Sequence, residues 1–188
     1  MRHAIRGLVE EIVPCDHTEA EHRIDVLRWL DRGDEIYRTA KPATPPKHLV
    51  AYSVLVDTSV RQILLVNHRD AQRWLPTGGH VEPDEHPADT ASRELLEELG
   101  LSPEFHPAVG PTPLMVTVTP TRGRSEPHVD VSLWFVFDGA SDAELTPDET
   151  EFSGTRWWQF EDVRHGGSVA FDPHLPRFID KFQDRLVR

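Results

Sequence analysis

The stretch Gly79–Leu101 reads GHVEPDEHPADTASRELLEELGL. Five residues separate Gly79 from Glu85, and seven more separate Glu85 from the pair Arg93-Glu94. Glu97, Glu98, Gly100 and Leu101 close the run. Glu94, Glu97 and Glu98 stand at helical spacing i, i+3, i+4, which places them side by side on one helix face. Carboxylates held that close repel one another unless a cation sits between them. Hard divalent cations such as Mg²⁺ take oxygen ligands and are shared between carboxylates and substrate phosphates. The spacing therefore predicts a cation-dependent site for phosphate chemistry, carried by a helix. His86 is placed to cap that helix, with Pro87 at its first position, where a missing N–H costs nothing. Gly100 is placed as its left-handed C-terminal cap.

The same residues resemble the signature of the Nudix hydrolases, G-x5-E-x7-R-E-U-x-E-E-x-G-U, with U a bulky aliphatic residue. Gly79, Glu85, Arg93, Glu94, Leu95, Glu97, Glu98, Gly100 and Leu101 fill its fixed positions. The similarity extends over about residues 48–163. It implies an α/β/α sandwich built on a mixed sheet, and hydrolysis of the diphosphate linkage of a nucleoside diphosphate joined to another moiety, X. It further implies Mg²⁺ or Mn²⁺ as cofactor, held by Glu94, Glu97 and Glu98 with the Gly79 carbonyl completing the shell. Arg93 is then a clamp that orients the glutamates through Glu85, since a guanidinium fork fixes carboxylate geometry with two parallel bonds.

Outward from this box, the rest of the chain reads as an α/β (α+β) arrangement. Ile5, Leu8, Val9 and Ile12 follow helical spacing, and Pro14 ends that helix. Thr18 and Glu21 form a capping-box pattern for a second helix reaching about Tyr37, with Ile24, Leu27 and Leu30 inward. Residues 1–40 thus form a small helical extension, residues 41–47 (KPATPPK) a stiff linker, and residues 48–188 the main domain. Strands are expected at 48–57, 62–68, 74–75, 113–119, 128–138 and 154–160, with the run PTGGHVEPDE as a loop. In 128–138, Val129, Val131, Leu133, Phe135 and Phe137 share one face, and His128, Asp130, Ser132 and Trp134 the other. Leu175, Phe178, Ile179, Phe182 and Leu186 form the stripe of a C-terminal helix.

Composition narrows the function classes. The 188 residues carry 28% charged and 38% hydrophobic side chains, as in an ordinary globular chain. The formal net charge of −12 argues against a duplex nucleic-acid partner, which asks for a basic face. It also repels a phosphate-rich substrate unless bound cations invert the local field. No apolar run approaches the roughly 18 residues of a membrane span. The N-terminus does not read as a signal peptide. The one cysteine, Cys15, excludes an intramolecular disulfide framework, and a reducing cytoplasm is the simplest setting.

Further site candidates follow by position. The acid that accepts a proton from water is a box glutamate, Glu97 or Glu98, or one from the loop TPDETEFSG, Glu149 or Glu151, which reads equally well as an ordinary acidic surface. Trp74, Trp134, His128 and Asp130 are candidates for contact with the small-molecule phosphoanhydride substrate, because a polar sheet face with aromatics suggests a lined pocket. His128 reads equally well as a satisfied interior histidine. Patterns that the family associates with ADP-ribose, dinucleoside polyphosphates and coenzyme A are absent: Val116 and Thr117 stand where ADP-ribose members carry a proline, and the two tyrosines, Tyr37 and Tyr52, both precede the box. The identity of X stays open. Two other readings compete. An isopentenyl diphosphate isomerase shares the fold but asks for a pocket cysteine, and Cys15 lies outside the core domain. A non-catalytic nucleotide sensor tends to lose box acids, and this box is intact. The helical extension could serve as a homodimer contact, as a lid, or as packing on the core.

Overall fold

The computed structural model describes residues 1–40, 43–121 and 127–187. Two helices, α1 (Arg2–Glu11) and α2 (His17–Asp31), precede β1 (Lys47–Asp57), β2 (Gln62–His68), β3 (Arg73–Leu75) and β4 (Thr77–His80). The box helix is α3 (Pro87–Leu99). It is followed by β5 (Met115–Thr121), β6 (His128–Asp138), β7 (Phe152–Gln159), α4 (Phe160–His165) and α5 (Leu175–Val187).

β1 organises the sheet. One edge pairs in parallel with β6, from Lys47↔Val129 to Val56↔Asp138. The other edge is shared. Its first half pairs antiparallel with β4, from Val50↔His80 to Ser53↔Thr77, and its end pairs antiparallel with β2. β5 flanks β6, while β3 and β7 both pair with β2, completing a mixed seven-stranded sheet. Alternation along β1 sends Leu49, Ala51 and Leu55 toward Ala88, Ala91 and Leu95 of α3. Val54 and Val56 join Trp134 and Val136 of β6 against Phe178, Ile179 and Phe182 of α5. Helices therefore cover both faces of a mixed sheet, the α+β sandwich expected from the element order.

The box helix has its expected ends. His86 Nδ1 accepts the Ala88 N–H at 3.2 Å, and Pro87 follows at the first position. Gly100 adopts φ 71°, where a side chain would be strained. Leu101 N–H then bonds the Leu95 carbonyl at 3.2 Å, closing the helix with a Schellman-type turn.

Several sequence expectations are corrected. α2 ends at Asp31 rather than near Tyr37, because Gly33 turns the chain with φ 78°. Its N-cap is Asp16, whose carboxylate accepts the Glu19 N–H at 2.8 Å, so Thr18 does not cap it. Val26, Trp29 and Leu30 are its inward residues, and Ile24 is exposed. TGGH is a strand, not part of a loop, because its backbone groups pair with β1. A short helix, α4, follows the last strand directly. Leu186 at the end of α5 is exposed. Of the linker expected at 41–47, Lys41 and Pro42 lie outside the described residues, and Lys47 already belongs to β1.

The N-terminal helices share the core of the sheet: Ile5, Val9, Val26, Trp29 and Leu30 belong to the cluster that includes Leu49 and Val131. A buried charge fixes this packing. Glu19, fully enclosed on α2, meets Lys181 of α5 at 2.6 Å. Its carboxylate also accepts the backbone N–H groups of Cys15 at 2.8 Å and Val116 at 3.3 Å. Removing one partner of a buried pair strands the other charge away from water. Glu19→Ala should therefore lower unfolding free energy by about 3–5 kcal/mol, read as a fall in the urea midpoint.

Candidate active site

The inward stripe of α3 runs Ala88, Ala91, Leu95 and then Glu98, so a carboxylate takes the place of an apolar side chain. Glu98 is 7% exposed. Its compensation is one backbone donor, the Gly78 N–H, 3.0 Å from Oε2. Burial, with Glu94 alongside, pushes the Glu98 carboxyl up to about 9. Burial likewise raises Glu94, and Glu97 and Glu151 add to that effect while Arg93 opposes it.

β4 comes close because it carries two glycines. A Cβ on Gly79 would stand 2.1 Å from Glu94 Oε1 and 2.4 Å from its carboxyl carbon, inside any contact distance. One on Gly78, at φ 148°, would overlap the Ala51 carbonyl. Ser53 Oγ donates to the Ala91 carbonyl at 2.7 Å and Thr77 Oγ1 to the Ser53 carbonyl at 3.1 Å. These bonds stitch β1, β4 and α3 together at the point where the acids gather.

Arg93 holds the acids in register. Its Nε and Nη2 donate to the two oxygens of Glu85 at 2.8 and 3.1 Å, a bidentate fork. Its Nη1 donates to Glu94 at 2.8 Å and to Glu97 at 3.0 Å. Glu85 is itself fixed by the Thr90 hydroxyl at 2.7 Å. Glu97 is the outermost acid, its side chain 57% exposed.

A family model described as the NUDIX domain matches residues 46–182. The chain belongs to the NUDIX family. It is 32% identical to "Nucleoside diphosphate-linked moiety X motif 6" of Mus musculus over 48% of this chain, and the match spans 28% of the mouse protein's length. Among solved structures, a NUDIX-family hydrolase from Clostridium perfringens superposes with a TM-score of 0.57 at 20% identity, covering 74% of this chain and 97% of that one. A C. elegans Ap4A hydrolase superposes with a TM-score of 0.54 at 18% identity, over 74% and 97% of the respective chains. At these identities the structures share the NUDIX fold.

The loop before β7 meets the NUDIX box from the other side. Thr146 and Asp148 N–H groups bond the Leu99 and Glu98 carbonyls at 2.9 Å each, anchoring the loop to the end of α3. Glu151 and Asp148 from this loop both act electrostatically on Glu98, and Glu151 acts on Glu94 as well. Glu149 is exposed, and its backbone carbonyl accepts from Arg69. Of the two loop acids named from sequence, Glu151 is the one brought to the box, and Asp148 is an addition the sequence reading lacked.

The remaining candidates lie apart. Trp134 is fully enclosed, stacked on Phe178, edge-on to Tyr52, and donates its N–H to Thr117 at 2.9 Å. Neither face of its indole is open to a ligand. Trp74 is half-buried against Trp158, beside Phe171. His128 and Asp130 meet two histidines absent from the sequence reading, His48 of β1 and His80 of β4. The pairing His48↔Asp130 in β1 and β6 creates that meeting, and a long-range register carries no local sequence signal. Burial, reinforced by Arg38 and His48, pushes the His80 ring down to about 3.

The NUDIX box fits a hard divalent cation. Glu98 is a buried acid with lone pairs to spare, beside Glu94, at a backbone position that only glycine allows. Without a cation, burial favours the neutral acid, so the folded chain holds this proton more tightly than the unfolded chain does. Glu98 then contributes stability that is complete below its usual 4.5 and lost as pH rises toward about 9. In chelator, urea unfolding between these values should show stability falling with rising pH, and Glu98→Gln should flatten the slope. Arg93→Lys keeps the charge but loses the fork to Glu85, and should weaken Mn²⁺ uptake by about 10–100-fold in calorimetric titration.

Proposed function

We propose that this NUDIX chain is a divalent-cation-dependent pyrophosphohydrolase that cleaves the phosphoanhydride bridge of a nucleoside diphosphate joined to another moiety. The observation that carries this reading is the buried Glu98, paired with Glu94 against Gly78 and Gly79 and kept in place by Arg93 and Glu85. The mouse relative's name, a nucleoside diphosphate-linked moiety X motif protein, points to the same substrate class.

In this reading Glu94, Glu98 and the Gly79 carbonyl hold Mg²⁺ or Mn²⁺, with the exposed Glu97 as an outer ligand. The cation supplies charge neutralisation for the diphosphate as the bridge breaks. Arg93 does not touch substrate; it fixes the carboxylates at one separation. Glu151 accepts the proton of the attacking water. A new P–O bond forms as the bridging P–O bond breaks, and the displaced phosphate leaves with the electron pair. Glu151 suits this task better than Glu149 because its charge already reaches both Glu94 and Glu98. Trp74 remains a candidate for contact with the substrate. The intact acids of the box weigh against a non-catalytic sensor.

A panel of nucleoside triphosphates, dinucleotides and nucleotide sugars, incubated with Mg²⁺ or Mn²⁺, tests the reading through phosphate release after coupling to pyrophosphatase for the triphosphates and to phosphatase for the others. Glu98→Gln should lower kcat by about 10²–10³-fold, the cost of removing one preorganised charge contact. Glu151→Gln should lower kcat with little change in KM. Turnover undiminished in Glu98→Gln, or insensitive to chelator, would overturn the assignment.

A further inference from the structure

We propose that His48, His128 and Asp130, with His80 bonded at the edge of the cluster, form a second cation site, suited to a Zn²⁺-class transition metal and separate from the acids of the box. One donor atom from each of His48, His128 and Asp130 lies within 4.8 Å of the other two. Three short separations link the cluster and His80. His80 Nε2 and His48 Nε2 are 3.1 Å apart, His48 Nε2 and Asp130 Oδ1 are 3.2 Å apart, and His128 Nε2 and Asp130 Oδ1 are 3.4 Å apart. In a tetrahedral zinc site with ligand bonds of about 2.0–2.1 Å, neighbouring donor atoms stand about 3.3 Å apart.

The hydrogen bonding points the same way. His48 is fully buried, and its Nδ1 lies 2.9 Å from the Pro45 carbonyl. A carbonyl only accepts, so Nδ1 carries the hydrogen and Nε2 is left to bind. This backbone bond to the far nitrogen is the usual support behind a metal-bound imidazole. A single proton between His80 and His48 satisfies those two rings. It leaves Asp130 Oδ1 beside two ring nitrogens, buried, and with no hydrogen bond. A cation among His48, His128 and Asp130 answers that need.

Donor chemistry separates the two sites. Two imidazoles and one carboxylate suit zinc and its neighbours, whereas oxygen-only donors suit Mg²⁺. Three protein ligands leave the fourth position of a tetrahedral site to water. Such a site ties β1 to β6, next to His80 of β4. The proposal does not depend on the pyrophosphohydrolase reading.

Co²⁺, which reports tetrahedral ligand fields by intense visible absorption, is the probe. Titrated into the chelator-treated full chain, it should give such bands, saturating at a single equivalent and bleached by Zn²⁺. The bands should persist in Glu98→Gln and vanish in His128→Gln and in Asp130→Asn. In the Glu98→Gln background, where the box no longer competes for the ion, Co²⁺ should also raise the melting temperature, and should fail to do so once His128→Gln or Asp130→Asn is added. Absence of tetrahedral absorption in the parent chain overturns the site. So do bands that survive both substitutions, or bands lost in Glu98→Gln. If His128→Gln does not fold, Asp130→Asn decides alone, because it preserves side-chain volume. Hydrolysis assays on Glu98→Gln judge the box independently.

Discussion

Glu98 has been taken out of water and given one backbone N–H in return. An isolated carboxylate in that position is costly, and burial drives it toward its neutral form. Everything around it is arranged so that the charge becomes tolerable only if something positive arrives. Arg93 is committed elsewhere, with four of its five N–H donors on Glu85, Glu94 and Glu97. The Gly78 N–H reaches one oxygen only. The fold therefore stores an unmet demand for positive charge at the end of α3. In the proposed function, a cation shared with substrate phosphates would meet that demand.

That demand is created by the sheet. β4 approaches α3 because Gly78 and Gly79 have no side chains, and β4 lies there because β1 offers it half of one edge. The other half of that edge goes to β2. Splitting an edge between two strands opens the sheet, so that the box helix and the loop before β7 meet over the gap. The hydrogen bonds from Thr146 and Asp148 to the last carbonyls of α3 fix that meeting and bring Glu151 into range. Further off, Glu19 and Lys181 clasp the N-terminal helices to β5 and α5. The N-terminal helices thus brace β5, the strand beyond β6.

Local chemistry made the box legible from sequence. Caps, glycines and i, i+4 spacing act within a few residues, so His86, Pro87 and Gly100 could be placed before any tertiary contact was known, while the Arg93 clamp came from the resemblance of the box to its family. The alternation of β6 was legible for the same reason. What could not be read depends on register. TGGH has the composition of a loop and becomes a strand only because β1 supplies partners for its backbone. Trp134 shares a strand face with polar residues, yet α5 covers that face and seals the indole. His48 and His80 carry no motif. They meet Asp130 only through the pairing of three strands whose members lie far apart in the chain.

Alternation in β4 then separates two kinds of chemistry by one residue. Gly79 pairs with Ala51, on the face of β1 covered by α3, and its missing side chain admits Glu94. His80 pairs with Val50 and turns to the opposite face, toward His48. The box carboxylates therefore collect on one side of the strand, and the histidines with Asp130 on the other. A chain of net charge −12 repels anions over its surface as a whole. In the proposed reading, cations held at fixed points would reverse that field locally, and a strand with glycine and histidine in adjacent positions would present its two faces to cations of different hardness.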